Sequence, residues 1–228
     1  MEPLATPTLI YRIRKWVGLK GHGLEGHGPN SKTYTIVIGG RIRSGKSYAA
    51  VDLVHDISNI VYMHSDDMHD YYVNILQASG ATVLTYPEDA ETLPIPHQTP
   101  YVVAEPYWNM DHSCTIHPHI LKTHFSGTKP NTTLIQTTQL PFFFKPFLVK
   151  YVDYLILARE SWRPLCKRIY ATFGLERIFG SFDIFYQIYD QTTSCLFDML
   201  VIHLSCTSST IADAVFWHRA RALPKQDI

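Results

Sequence analysis

The chain has 228 residues, enough for one α/β domain with a buried core or for one domain with an appendage. Hydrophobic residues at 46% and charged residues at 18% exclude a disordered chain. Lys and Arg total 20 and Asp and Glu total 20, which excludes a global basic field for nucleic acid, so any such contact must come from a local patch.

Residues 1–31 read as an arm ahead of a domain over 32–228. Within the arm, Ile10-Tyr11-Arg12-Ile13-Arg14-Lys15-Trp16-Val17 mixes cations with aromatics. It fits either a nucleic-acid contact or an amphipathic segment that packs Trp16 onto the domain. The glycine/histidine stretch from Gly21 to Asn30 cannot bury a core face and is predicted to be a flexible loop.

Tyr34-Thr35-Ile36-Val37-Ile38 is a β-branched, apolar run of strand type, and Ser47 to Val54 has helical spacing. Between them, Gly40-Arg41-Ile42-Arg43-Ser44-Gly45-Lys46-Ser47 matches the phosphate-binding pattern G-x-x-x-x-G-K-[ST]. Strand, glycine loop and helix is the order this chemistry needs. Gly40 and Gly45 let the backbone curl without a Cβ clash, so successive N–H groups and the helix N-terminus point at phosphate oxygens. Lys46 is placed to reach the β- and γ-phosphates and Ser47 to ligate Mg²⁺, with Tyr48 the next residue along the nucleotide. The competing interpretation is a chance glycine turn before a helix.

Further along, Asn59–Met63 reads as a buried strand, Tyr71–Ser79 as a helix ended by Gly80, and Thr82–Tyr86 as a strand. A proline-rich connection from Pro87 to Pro100 leads into Tyr101-Val102-Val103-Ala104-Glu105, whose apolar run suits a central parallel strand. A short helix is expected over Pro118–Phe125, a strand over Thr132–Gln139, a short helix over 147–152 and a strand over Tyr154–Ala158. Phe182–Tyr189 and Leu196–Leu204 flank a polar turn and read as a C-terminal β-hairpin, followed by a last helix from about Thr210 to Ala222. In that helix His218, Arg219 and Arg221 would oppose the macrodipole. The predicted fold is therefore an α/β P-loop NTPase, with a mainly parallel sheet, helices on both faces and a C-terminal β-hairpin.

Cys114, Cys166, Cys195 and Cys206 form no C-x-x-C pair, which suits buried free thiols in a reducing compartment. His112, His117, His119 and His124 near Cys114 match no standard zinc spacing and read as surface histidines. No stretch reaches the roughly twenty apolar residues of a membrane span, so an intracellular protein without membrane attachment is expected.

A P-loop alone does not name a function. In open α/β sheets ligands bind at the carboxyl ends of the strands, so the polar residues just after each apolar run are candidates. Glu105 closes Tyr101–Ala104 and would act as general base or water orienter at the γ-phosphate, unless it is an ordinary strand-end carboxylate. Gln139 closes the next run, where its amide could hold the attacking water, or could simply face solvent.

Taken in order, I-V-I-G-G-R-I-R-S-G-K-S-Y, Y-V-V-A-E, T-T-L-I-Q-T-T-Q-L-P and Y-V-D-Y-L-I-L-A-R resemble the FtsK–HerA superfamily of P-loop motors. More narrowly they resemble the genome-packaging ATPases of poxviruses and of tailless double-stranded DNA viruses, over about residues 34 to 160. The resemblance implies a ring-forming ATPase that threads double-stranded DNA into a viral capsid inside the infected cell. It assigns ATP and Mg²⁺ to Lys46 and Ser47, the catalytic carboxylate to Glu105, a sensor to Gln139 and a trans-acting arginine to Arg159. One departure is Ala104, which stands where that group usually has an acidic residue for Mg²⁺.

Two other classes stay open. Arg159, Arg163, Lys167 and Arg168 cluster as the phosphate-gripping lid of a nucleoside or nucleotide kinase would, although no D-R-Y or D-R-H substrate-base motif accompanies them. A secretion or assembly ATPase is the third, and the absence of a membrane span counts against it.

Overall fold

The computed structural model describes residues 13–16, 34–54, 57, 60–64, 70–78, 80–85, 101–104, 107–108, 114–115, 133–144, 146–208 and 210–221. In chain order the elements are β1 (Arg14–Lys15), β2 (Thr35–Gly39), α1 (Lys46–Val54), β3 (Ile60–His64), α2 (Asp70–Ala78), β4 (Thr82–Thr85), β5 (Tyr101–Ala104), β6 (Tyr107–Trp108) and β7 (Cys114–Thr115). There follow β8 (Thr133–Thr138), a 3-10 turn (Pro141–Phe143), α3 (Pro146–Val149), β9 (Tyr154–Leu157), α4 (Arg163–Thr172), α5 (Glu176–Phe179), α6 (Phe182–Thr192), β10 (Asp198–His203), α7 (Ile211–Ala214) and β11 (Val215–Arg219).

Nine strands make one sheet in the order β1-β11-β10-β9-β2-β8-β5-β3-β4, while β6 and β7 pair separately. Six of its eight pairings are parallel, and β10 alone runs against the rest. Strand β2 carries the phosphate loop and lies between β9 and β8, buried on both faces. Its alternation explains the continuous apolar run: Ile36 and Ile38 enter one core and Val37 the other. The first core is covered by Ala49, Ala50 and Val54 of α1 and Leu76 of α2. Leu165 and Ile169 of α4, Ile178 of α5 and Phe185 and Ile188 of α6 cover the second. Helices on both faces thus hold the ends of β2, β8 and β9 rigidly, and those ends define the site.

The C-terminal third departs from the sequence expectation. Phe182–Tyr189 is the body of helix α6 and not a hairpin strand. Its aromatic and β-branched content imitates a strand, but Phe185, Ile188 and Tyr189 are the buried positions, an i, i+3, i+4 spacing that only a helix places on one face. Ser181 caps it, its Oγ accepting from the Ile184 N–H at 3.3 Å. Each of those side chains gains roughly 2 kcal/mol from burial, which outweighs local strand propensity, and Phe185→Ala would forfeit about 3–5 kcal/mol.

The antiparallel pair at the C-terminus is instead β10 with β11, in the register Asp198↔Arg219 to Ile202↔Val215. The helix expected over Thr210–Ala222 stops after α7 at Ala214. From Val215 the chain gains a ladder on both sides, to β10 and to β1, which a helix there would leave unmade. Arg219 and Arg221 accordingly make ion pairs with Asp198 and Asp52, and His218 Nε2 lies within hydrogen-bond distance of Asp52, rather than oppose a helix dipole.

Of the arm, Arg14 and Lys15 pair in parallel with Phe216 and Trp217, and Trp16 is buried against Tyr154 and His218. Packing of Trp16 onto the domain is therefore what the structure displays. The glycine/histidine stretch, the Pro87–Pro100 connection, the Pro118–Phe125 helix and the four histidines lie outside the described residues.

Candidate nucleotide site

Strand β2 ends at Gly39, where a Cβ would lie 2.7 Å from Pro141 Cγ, so a side chain there would push the 3-10 turn off the strand. The loop then turns back on itself: Ser44 N–H donates to Arg41 O at 3.2 Å, and Arg43 holds a left-handed φ of 61°. Gly45 has φ +86°, and a Cβ on it would meet Phe197 Cδ1 at 2.9 Å. Glycine is needed there for both conformation and space. Its carbonyl accepts from Ala49 N–H at 2.9 Å, which starts α1 directly behind the loop.

Lys46 is buried at 7% exposure, and its ammonium donates to Arg41 O at 2.8 Å across the mouth of the loop. Ser44 Oγ is buried with no hydrogen-bond partner among the described residues. A concave loop whose lysine is aimed across it, whose glycines have no room for Cβ and whose serine hydroxyl is unspent fits a polyphosphate with its cation. Ser47, at the start of α1, is half-buried and is the hydroxyl available to a metal.

The strand ends flanking the loop are fixed by register. Gly39 pairs with Thr138, and Gly40 N–H donates to Thr138 O at 3.2 Å, so half-buried Gln139 leaves β8 beside the loop. On the other side Ala158 N–H donates to Gly39 O at 2.9 Å, and exposed Arg159 follows at once. Ala104 closes β5, level with Gln136 of β8 and so two strands, roughly 10 Å, from β2. Glu105 itself lies outside the described residues.

Arg159, Arg41, Arg43 and Ser44 share a pocket of about 320 Å³ with the segment Ser194–Asp198 that leads into β10. Sequence reasoning missed this segment entirely. The signal was the loop between α6 and β10, hidden by reading α6 as a strand. Arg159 Nη1 donates to Ser194 O at 2.6 Å and ties the two walls together. Phe197, another non-glycine residue at positive φ (67°), stacks on Tyr48 with ring centroids 4.6 Å apart. Strained backbone of this kind persists only where its surroundings over-determine it.

Behind the loop, α1 is anchored by Asp52, whose side chain is 1% exposed. It faces His218 Nε2 at 3.1 Å and Arg221 Nε at 2.9 Å. Burial alone would raise its carboxyl, but hydrogen bonds from His218 and Arg221 outweigh that and hold it below the ordinary value. Arg163, Lys167 and Arg168 lie on the outer face of α4, whose inner face is buried. Arg163 pairs with Asp183 and stacks on Tyr186, and Arg168 stacks on Phe142. Arg163 and Arg168 are thus engaged along a packed helix.

Fold and loop together are those of the P-loop NTPase fold. The chain's structure is similar to that of B204, the DNA-packaging ATPase from Sulfolobus turreted icosahedral virus, with a TM-score of 0.56 at 14% identity over 83% of this chain and 98% of that chain. The genome packaging NTPase B204 from Sulfolobus turreted icosahedral virus 2 is likewise similar in its complex with AMPPCP, with a TM-score of 0.53 at 16% identity and the same coverage. Its complex with AMP gives a TM-score of 0.51 at 13% identity, over 75% of this chain and 93% of that chain. No protein-family model and no curated protein sequence matches the chain.

Proposed function

We propose that this chain is an ATP-hydrolysing motor subunit that moves double-stranded DNA into a viral capsid. The observation that carries the reading is the register that sets Thr138–Gln139 on one side of the phosphate loop and Ala158–Arg159 on the other. Such a sheet edge, in a fold shared with viral DNA-packaging ATPases, suits hydrolysis coupled to movement. Within residues 40–48, whose Gly40 and Ser44 N–H groups are already held by Thr138 O and Arg41 O, the other backbone N–H groups and the N-terminus of α1 bind the phosphates, and Lys46 exchanges its bond to Arg41 O for the β- and γ-oxygens. Mg²⁺, when bound through Ser47, neutralises charge that develops on those oxygens.

Glu105 takes the proton of the attacking water, and the Gln139 amide orients that water and couples its loss to the 3-10 turn that follows. With Ala104 supplying no carboxylate, Ser47 is the residue of this loop that would hold Mg²⁺. Subunits form a homo-oligomeric ring, in which Arg159 of one subunit stabilises charge in its neighbour's site. Residues 32–228 form the working domain, with 1–31 an arm attached through β1. The protein acts in the infected cell, and among the described residues no helix is long and apolar enough to cross a membrane.

Product analysis tests this reading. Orthophosphate released without an acceptor, at a rate cut on the order of 10²-fold by Glu105→Gln with ATP binding retained, is expected. A phosphorylated nucleoside product would overturn it in favour of a kinase.

A further inference from the structure

Arg159 leaves the sheet at a point held from several sides. The β9–β10 ladder ends at Leu157↔Leu200 although β10 runs on to Asp198, so Ala158 turns out of that pairing. Its N–H donates to Gly39 O at 2.9 Å, and a Cβ on Gly40 would lie 2.9 Å from Ala158 Cβ, which sets the residue firmly against the phosphate loop. Its carbonyl accepts from the Tyr189 hydroxyl of α6 at 2.6 Å. Beyond Arg159, Glu160 O accepts from the Cys166 thiol of α4 at 3.6 Å.

Tyr189 is buried and stacks on Phe185 within its own helix. Burial raises its phenol far above the ordinary range, so the hydroxyl stays protonated and available as a donor. The Tyr189 carbonyl accepts from both Thr193 N–H and Thr193 Oγ1 at 2.9 Å, which ends α6, and the next residue, Ser194, offers the carbonyl that takes Arg159 Nη1. Ala158, Tyr189, Thr193, Ser194 and Arg159 thus close a circuit. Ala158, Tyr189 and Thr193 are buried in it, and Arg159 is exposed.

We infer that Tyr189 is a positioning residue: through Ala158 O and the end of α6 it sets where the Arg159 guanidinium reaches, an inference that rests on the role given to Arg159 above. A long, flexible side chain delivers charge accurately only from a fixed backbone, and a misplacement of about 1 Å can cost on the order of 10²-fold in rate. Tyr189→Phe keeps the ring and removes the hydroxyl. Ala158 N–H still donates to Gly39 O in that variant, so the phosphate loop keeps its support and the loss falls on Arg159.

The experiment is steady-state ATP hydrolysis by the full chain, with ATP varied, for wild type, Tyr189→Phe, Arg159→Ala and the double variant. Tyr189→Phe should lower kcat about tenfold and leave the KM for ATP within about twofold. Added to Arg159→Ala, it should change kcat by less than about twofold, because the group it positions is already gone. Mixing Tyr189→Phe subunits with Lys46→Ala subunits, which carry the intact pair, should restore turnover. Thr193→Val removes the hydroxyl bond to Tyr189 O and loosens the same circuit; it should repeat this pattern, and it carries the test if Tyr189→Phe does not fold.

Wild-type kcat in a folded Tyr189→Phe, beside a slow Arg159→Ala, overturns the inference and leaves the role of Arg159 standing. A full tenfold loss on the Arg159→Ala background overturns it too, since Tyr189 would then act by another route. A raised KM with kcat unchanged makes Tyr189 a support of the phosphate loop alone, which also overturns it. If Arg159→Ala itself turns over at the wild-type rate, the role of Arg159 fails and this inference falls with it.

Discussion

Gly45→Ala measures how tightly the segment before β10 leans on the phosphate loop. The position has φ +86°, so alanine there costs about 1–2 kcal/mol for left-handed backbone alone. Its Cβ would in addition lie 2.9 Å from Phe197 Cδ1 and 3.3 Å from Cε1. Phe197 has little room to retreat, because its ring stacks on Tyr48 and its carbonyl accepts from Ala220 N–H at 3.2 Å. Overpacking against a restrained ring adds roughly 1–3 kcal/mol, for a total of about 2–5 kcal/mol. Gly80 is a matched control: its φ is +83°, and a Cβ there would meet nothing within 4 Å. Gly80→Ala should therefore cost only the backbone share, about 1–2 kcal/mol. The assay is urea unfolding followed by circular dichroism, with slopes compared so that midpoint shifts report stability. In a Phe197→Ala background the excess cost at Gly45 should vanish, as expected of coupled neighbours. Equal losses at Gly45 and Gly80 would refute the claim that Phe197 presses on the loop.

Lys46→Ala should abolish hydrolysis; turnover at the wild-type rate would remove the phosphate-loop assignment. Arg159→Ala subunits should bind ATP, hydrolyse it slowly, and regain activity when mixed with Lys46→Ala subunits; no recovery on mixing would place Arg159 in its own subunit's site. Asp52→Asn should cost about 2 kcal/mol at neutral pH, below the usual cost of breaking a buried pair because Arg221 stays largely solvated. Since the folded-state pKa of Asp52 is depressed, its stabilisation is present above about pH 4 and is lost as pH falls through that lowered value. The stability gap between wild type and Asp52→Asn should therefore narrow as pH falls below about 4, as read by unfolding at a series of pH values.

What could be read from the sequence follows from how local each signal is. Gly40 to Ser47 is one contiguous motif with its strand and helix adjoining, and the residues that end β8 and β9 are legible because buried parallel strands read as apolar runs with polar ends. Helix α6 was hidden because Phe, Ile and Tyr favour strands, while the Ser181 cap and the i, i+3, i+4 burial that decide the matter depend on α4 and β10 packing against it. Strand β11 was hidden for a similar reason. Its ladder partners are β10 and, some two hundred residues away in sequence, β1, and the Asp52 carboxylate that His218 faces is on α1. The pocket wall at Ser194–Asp198 depends on both of these placements, so no local pattern announces it.

ATP turnover measured with and without duplex DNA, over a series of salt concentrations, tests the motor reading most directly. Formal neutrality leaves only local cations to grip phosphates, so duplex DNA should stimulate turnover at low salt and the stimulation should fall steeply as salt rises. A turnover rate indifferent to duplex DNA at low salt would contradict the account.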